Sequence, residues 1–327
     1  GAVRVSQGIL VCVLAMLAIA AGGGTVVMLG LAGVVLGLGY GAAAPASTHL
    51  LVPQTPRPVF NLVMSIRQTG VPLGGVLGAL IVPPIVLAAG WRVALLVELG
   101  PVLLLLGLME LPRRRWDVGR DPTRPLLSGV LLEPFRLLRR DRRLRVLSVA
   151  SFFYSGLQLC FIAFMAVQLT TVARFSLIGA GYVLAAYQIA GAVSRPVWGW
   201  VADRLLSPSR TLVVHGVGMA IACVATGMFG PGWPTFVVVL VEILGGVTAS
   251  GFTGVAYAEY AALGGTRRTE ATGLGTAAMF SGVMVIPSMF AVAVTHWGGY
   301  GLPYAILAVT AAASAALLWV RPGEKSE

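Results

Sequence analysis

Ten long, uninterrupted apolar runs constrain this chain more than any other feature. They lie at about residues 5–21, 25–46, 61–86, 91–111, 145–171, 178–201, 211–229, 234–258, 271–296 and 301–320. A helix needs about 20 apolar residues to cross the hydrocarbon core of a bilayer. Several runs are longer than that, which allows tilt or overhang. The runs are apolar at consecutive positions, whereas strands of a spanning barrel alternate over about ten residues. The expected fold class is therefore an all-α polytopic membrane protein. Composition agrees, with 57% hydrophobic and 11% charged residues, against roughly 25% charged in soluble domains. One water-facing globule would expose large apolar patches, so a soluble enzyme or nucleic-acid-binding domain is excluded.

The net charge of +11 has a topological explanation. Eleven arginines fall between Leu111 and Val146. If the loops are assigned alternately to two sides, nineteen of the 23 Lys and Arg lie with that segment and two lie opposite. Such a bias marks the cytoplasmic side, so the long loop and the C-terminus are expected there and nucleic acid is not needed as a partner. The organisation follows: 1–111, a first helical group; 112–144, a basic cytoplasmic linker; 145–327, a second group with a short tail. Leu126 to Arg145 mixes Leu, Phe135 and Arg as an interfacial helix would, and it suits anionic lipid head groups. The run ending Ala18-Ile19-Ala20 has the form of a signal-peptide cleavage site, but another apolar run follows at once. It is read as a span.

Polar groups inside spans are costly and so informative. Ser151, Tyr154, Ser155 and Gln158 fall at i, i+3, i+4 and i+7. Gln188 and Arg195 are seven apart on the next span; Asn61, Ser65 and Gln68 share a face of the 61–86 span, and Arg67 leads a face continuing into Gly70 and Gly74. Glu98 and Glu242 are acids within apolar runs. The candidate solute-binding residues are Arg67, Gln68, Tyr154, Gln158, Gln188 and Glu242. Arg67 is the sharpest, because its planar five-donor fork suits an oxyanion. The Gly33/Gly37/Gly41 and Gly70/Gly74/Gly78 steps predict close helix approach. Prolines within spans, among them Pro45, Pro72, Pro101, Pro196 and Pro287, predict broken helices of the kind transporters use. The three histidines and three cysteines are scattered with no metal-ligand spacing, and no phosphate loop or nucleophile–base pair is present. No cofactor, metal or catalytic residue is expected.

Several local patterns resemble the major facilitator superfamily of secondary transporters. Gly199-Trp200-Val201-Ala202-Asp203-Arg204 resembles the second-half copy of its cytoplasmic G-x-x-x-D-R/K motif. Ser65 to Gly75, with Gly70, Pro72 and Gly74, resembles its fifth helix; Gly37 to Ser47 resembles its fourth, and Tyr257-Ala258-Glu259 the end of its tenth. The Pro-x-Gly-Gly spacing departs from the antiporter form and is closer to a bacterial branch with cyanate-like, nitrate-like and organic-anion carriers. The resemblance implies a two-bundle fold of twelve helices, of which four and six are seen, so two helices are expected upstream of Gly1. It implies a monomeric carrier in the inner membrane that moves a small solute, with an organic or inorganic anion as the candidate, by alternating access; whether by symport or antiport, and with which ion, stays open. It also places Asp203 near the N-terminal end of the 61–86 helix, holding the cytoplasmic side closed. Alternatives are a drug or metabolite effluxer of the same superfamily and a membrane sensor that binds solute without moving it.

Overall fold

The computed structural model describes residues 1–117 and 133–320; much of the basic linker, including Arg120 and Arg124, and the Arg321 and Lys325 tail lie outside the described residues. Among those described, every regular element is a helix. The first set comprises α1 (Ala2–Gly22), α2 (Val26–Tyr40), α3 (Ala43–Leu51), α4 (Phe60–Ala89), α5 (Trp91–Val97), α6 (Leu99–Leu108) and α7 (Glu110–Trp116). After the linker come α8 (Glu133–Arg140), α9 (Arg142–Thr171), α10 (Leu177–Arg204), α11 (Pro208–Gly227), α12 (Thr235–Gly245), a π-helical turn (Gly246–Ser250), α13 (Phe252–Gly264), α14 (Arg268–Trp297) and α15 (Gly301–Trp319). Several are long and apolar enough to cross a bilayer, among them α1, α9, α11 and α15.

Several boundaries differ from the sequence expectation: the 91–111 run breaks at Glu98, the 234–258 run at the π-helical turn, and two others for a clear local reason. The 25–46 run is not one helix: it turns at Gly41 and Ala42 and continues as α3 to Leu51. Pro45 is the third residue of α3, where a backbone N–H has no intrahelical acceptor to lose. It starts a helix instead of kinking one, and Pro101 holds the same place in α6. The surface helix expected over 126–145 stops at Arg140. There Asp141 accepts hydrogen bonds from the Arg143 and Leu144 amides at 2.7 and 3.4 Å, which caps a new helix. Arg142 to Arg145 therefore form the first turn of α9.

In the second set α9 packs on α14 and α15, and α11 on α15. The Phe161 ring sits between Tyr187 and Tyr304, with centroids 5.8 and 5.6 Å away. The exterior is apolar: Val26 is 85% exposed and Leu38 75%, a surface suited to lipid and not to water. The glycine faces behave differently from expectation. A Cβ on Gly33, Gly37, Gly70, Gly74 or Gly78 would meet no heavy atom within 4 Å, so these steps do not pack helices together here. Close approaches fall at other glycines, among them Gly156 and Gly282 between α9 and α14, and Gly199 and Gly254 where α10 and α13 meet α4.

Candidate functional site: the α4 seam and the cavity above it

α4 runs antiparallel to α10, and its Asn61, Ser65 and Gln68 face is the seam between the two sets of helices. At the first level, the residue in the N-cap position of α4 is Val59, whose side chain makes no cap hydrogen bond. Asp203, at the end of α10, supplies the cap from outside. Its Oδ1 accepts from the Asn61 amide at 3.0 Å and the Asn61 Nδ2 at 2.7 Å, and its Oδ2 from the Leu62 amide at 2.8 Å. These are orphan donors at the positive end of a helix, where a carboxylate is stabilising. Arg204 beside it is exposed in the last turn of α10.

One turn further in, the helices touch backbone to backbone. A Cβ on Gly199 would lie 2.7 Å from the Asn61 carbonyl and the Leu62 Cα. Gly254 of α13 lies against the Ser65 backbone, and Ser65 is fully buried. At the third level Arg195, 2% exposed, donates through Nη1 to the Gln68 carbonyl, through Nε to the Ser250 carbonyl at 2.9 Å and through Nη2 to the Ser250 hydroxyl at 3.2 Å. Gln188 follows on α10, opposite Gly75 of α4.

Above this seam lies a cavity of about 190 Å³. Gln68 and Val71 of α4 and Tyr40 of α2 form one wall. Ser155 and Gln158 of α9, Arg195 of α10, Thr253 and Tyr257 of α13, and Met279 and Phe280 of α14 form the other. Arg67 stands beside it. Its guanidinium lies 5.1 Å from the Tyr257 ring centroid, within cation–π range. Its Nη1 donates to the Ala44 carbonyl at 3.1 Å, to Ser47 Oγ, and to Thr48 Oγ1 at 3.3 Å. Its Nε and Nη2 are buried with no hydrogen-bond partner among the described residues.

The structure thus brings Gln68 and Gln158 to one cavity with Arg67 next to it, and separates the other candidates from it. Tyr154 is buried among the C-terminal helices, with its hydroxyl on the Leu212 carbonyl at 3.2 Å. Glu242 is fully buried; its Oε1 accepts from Thr226 at 3.1 Å and its Oε2 has no hydrogen-bond partner among the described residues. Neither lines the cavity. An apolar run marks a polar residue as unusual without saying which neighbour it faces, and both residues face their own bundle. Gly70 and Gly74 meet open space, while Pro72 is buried. Tyr257 and Arg195 were not among the candidates. The signal for Arg195 was Pro72, four residues after Gln68, which leaves the Gln68 carbonyl without a helical donor.

The profile of the Major Facilitator Superfamily matches residues 5–178 and 160–327. The chain belongs to this superfamily. Its members are transporters and not enzymes, and solved structures of other members share its fold. The Escherichia coli fucose:proton symporter FucP superposes with a TM-score of 0.74 at 12% identity, covering 99% of this chain and 84% of that one. The human organic anion transporter MFSD10 gives 0.70 at 18% identity, covering 97% and 77%. A bacterial homologue of the iron transporter ferroportin in an outward-facing state gives 0.63 at 16%, covering 97% and 82%. Among curated protein sequences none matches the chain. Within this superfamily the chain is a multi-pass membrane protein whose class of activity is solute transport.

Proposed function

We propose that this member of the superfamily is a secondary active carrier of a small anionic solute, bound between the two sets of helices and moved by alternating access. The observation that carries the anion is Arg67: two of its guanidinium nitrogens are buried beside the cavity and unpaired among the described residues. Every recorded hydrogen-bond acceptor of Arg67 and Arg195 is a carbonyl or a hydroxyl oxygen. Two cationic groups without a carboxylate favour an anion, since a buried charge needs a counter-charge. Gln68 and Gln158 add neutral hydrogen bonds. The cavity is small beside the roughly 300–1,000 Å³ of drug-sized sites, which suits a small carboxylate or inorganic oxyanion better than a large drug. The arginine bias of the loops supports a cytoplasmic location for the Asp203 end, so the seam described above is the closed inner gate of an outward-facing form.

The test is a thermal-shift screen of purified protein against small carboxylates, inorganic oxyanions and neutral sugars, followed by uptake of any hit into proteoliposomes. An anion is expected to stabilise the protein and to accumulate. Arg67→Lys should weaken its binding, and Arg67→Gln should lower affinity at least about tenfold, the loss of one charge-assisted hydrogen bond. Stabilisation by neutral sugars alone, or wild-type affinity in both variants, overturns the anion reading. Binding without accumulation identifies a sensor instead of a carrier.

A further inference from the structure

Every backbone carbonyl in a membrane core needs a donor, and residue i supplies it to residue i−4 in a helix. Pro72 has no N–H, so the Gln68 carbonyl of α4 has no donor in its own helix. The donor it receives is the Arg195 guanidinium of α10. The other two Arg195 nitrogens bind the Ser250 carbonyl and hydroxyl at the end of the π-helical turn, where the α-helical bonding pattern changes register. α10 serves that turn with two further donors: Trp198 Nε1 at 2.9 Å and Ser194 Oγ at 3.3 Å, both on the Val247 carbonyl. The turn and α10 are therefore fastened as one piece, and Arg195 carries the fastening across the seam to α4.

We propose that Arg195 and Pro72 together form a latch for the closed state, in which the proline vacates a carbonyl on α4 and the arginine of the opposing helices occupies it. The two arginines near the cavity then divide the work. Arg67 keeps buried nitrogens free; all three Arg195 nitrogens are engaged in protein bonds. Arg195 acts as a positioning residue, and its role holds whatever solute is carried. The planar fork matters because it reaches α4 and the π-turn at once, where a lysine offers only a point charge. Opening this end of the molecule separates Arg195 from Gln68, and water takes over both groups. Pro72 makes that exchange symmetric: with no competing N–H inside α4, the carbonyl returns to Arg195 on every closure.

The test reads closure directly and needs no solute. Spin labels replace the exposed Arg57, just before α4, and the exposed Arg210, in the first turn of α11, in protein without its three native cysteines. Pulsed-EPR distance distributions in nanodiscs report the ratio of separated to closed forms. Arg195→Gln should raise that ratio about ten- to a hundredfold, the loss of a charge-assisted hydrogen bond. Pro72→Ala restores an N–H that competes for the Gln68 carbonyl, so it should shift the ratio in the same direction by less. The double variant should match Arg195→Gln alone, because both changes remove one contact. Arg195→Lys should fall between. If Arg195→Gln does not fold, the cycle is run with Arg195→Lys, and non-additivity with Pro72→Ala is the same criterion. An unshifted ratio in the Arg195 variant, no effect of Pro72→Ala, or effects that simply multiply would each overturn the latch.

Discussion

Replacing Asp203 by Asn tests how much of the closed seam depends on one carboxylate. Asp203 accepts three hydrogen bonds at the N-terminus of α4, two of them from the Asn61 and Leu62 amides at 3.0 and 2.8 Å. The Asn side chain keeps one acceptor oxygen and turns an NH₂ group toward the remaining donors. It loses a charge-assisted bond of about 1.5–3 kcal/mol and a favourable helix-terminus interaction of about 0.3–1 kcal/mol. Because Asp203 is partly exposed, the sum is taken at about 2–3 kcal/mol, which raises the open-to-closed ratio about 30- to 150-fold. Ser65 is a suitable reporter, since it is fully buried under Gly199 and Gly254 and Cys is close to it in shape. With Ser65→Cys in a background lacking Cys12, Cys160 and Cys223, the maleimide labelling rate of purified protein follows the open population. Asp203→Asn should accelerate labelling by that factor while the protein stays monodisperse. A labelling rate equal to that of the parent would show that the cap does not hold the seam.

Other substitutions separate the contacts that matter from those that do not. Gly199→Ala forces a Cβ to 2.7 Å from the backbone of α4; it should cost about 1–3 kcal/mol as overpacking, lowering the melting temperature and speeding Ser65→Cys labelling. Gly74→Ala meets no atom within 4 Å and improves helix propensity by up to about 1 kcal/mol, so an unchanged or higher melting temperature is expected, and a marked loss would mean that this face is packed after all. Tyr154→Phe removes the bond to the Leu212 carbonyl and should cost about 1 kcal/mol in stability without changing solute affinity. A specific loss of affinity in that variant would return Tyr154 to the binding site.

The spans were legible because lipid removes alternatives: with no water to satisfy the backbone, a long apolar run has one economical structure. The seam face was legible too, in the shared spacing of Asn61, Ser65 and Gln68. Partners were much harder to read. Tyr154 and Gln158 lie on the same stripe of α9, four residues apart, yet one bonds α11 and the other lines the cavity, a distinction made by neighbouring helices and not by spacing. The glycine steps at Gly70 and Gly74 predicted packing, but that pattern reports only that a partner can approach. Asp141 was a visible cap signal inside a run of arginines, and the amphipathic reading of the whole segment passed over it.

The contacts along the seam share one property: each engages the backbone of a helix. Asp203 binds backbone amides, Arg195 binds backbone carbonyls, and Gly199 and Gly254 bring backbone against backbone. The backbone groups are held in place by their helices, so Asp203 and Arg195 meet fixed partners across the seam. If the seam opens as proposed, water meets the same donors and acceptors, and the net difference per bond is a few kcal/mol at most. An interface held instead by interdigitated large apolar side chains would lose contact area and gain voids on separating, at a cost too high for repeated cycling. On the proposed carrier reading, a seam of small residues, one borrowed helix cap and one shared carbonyl is strong enough to hold a closed state and weak enough for binding of a solute to reverse it.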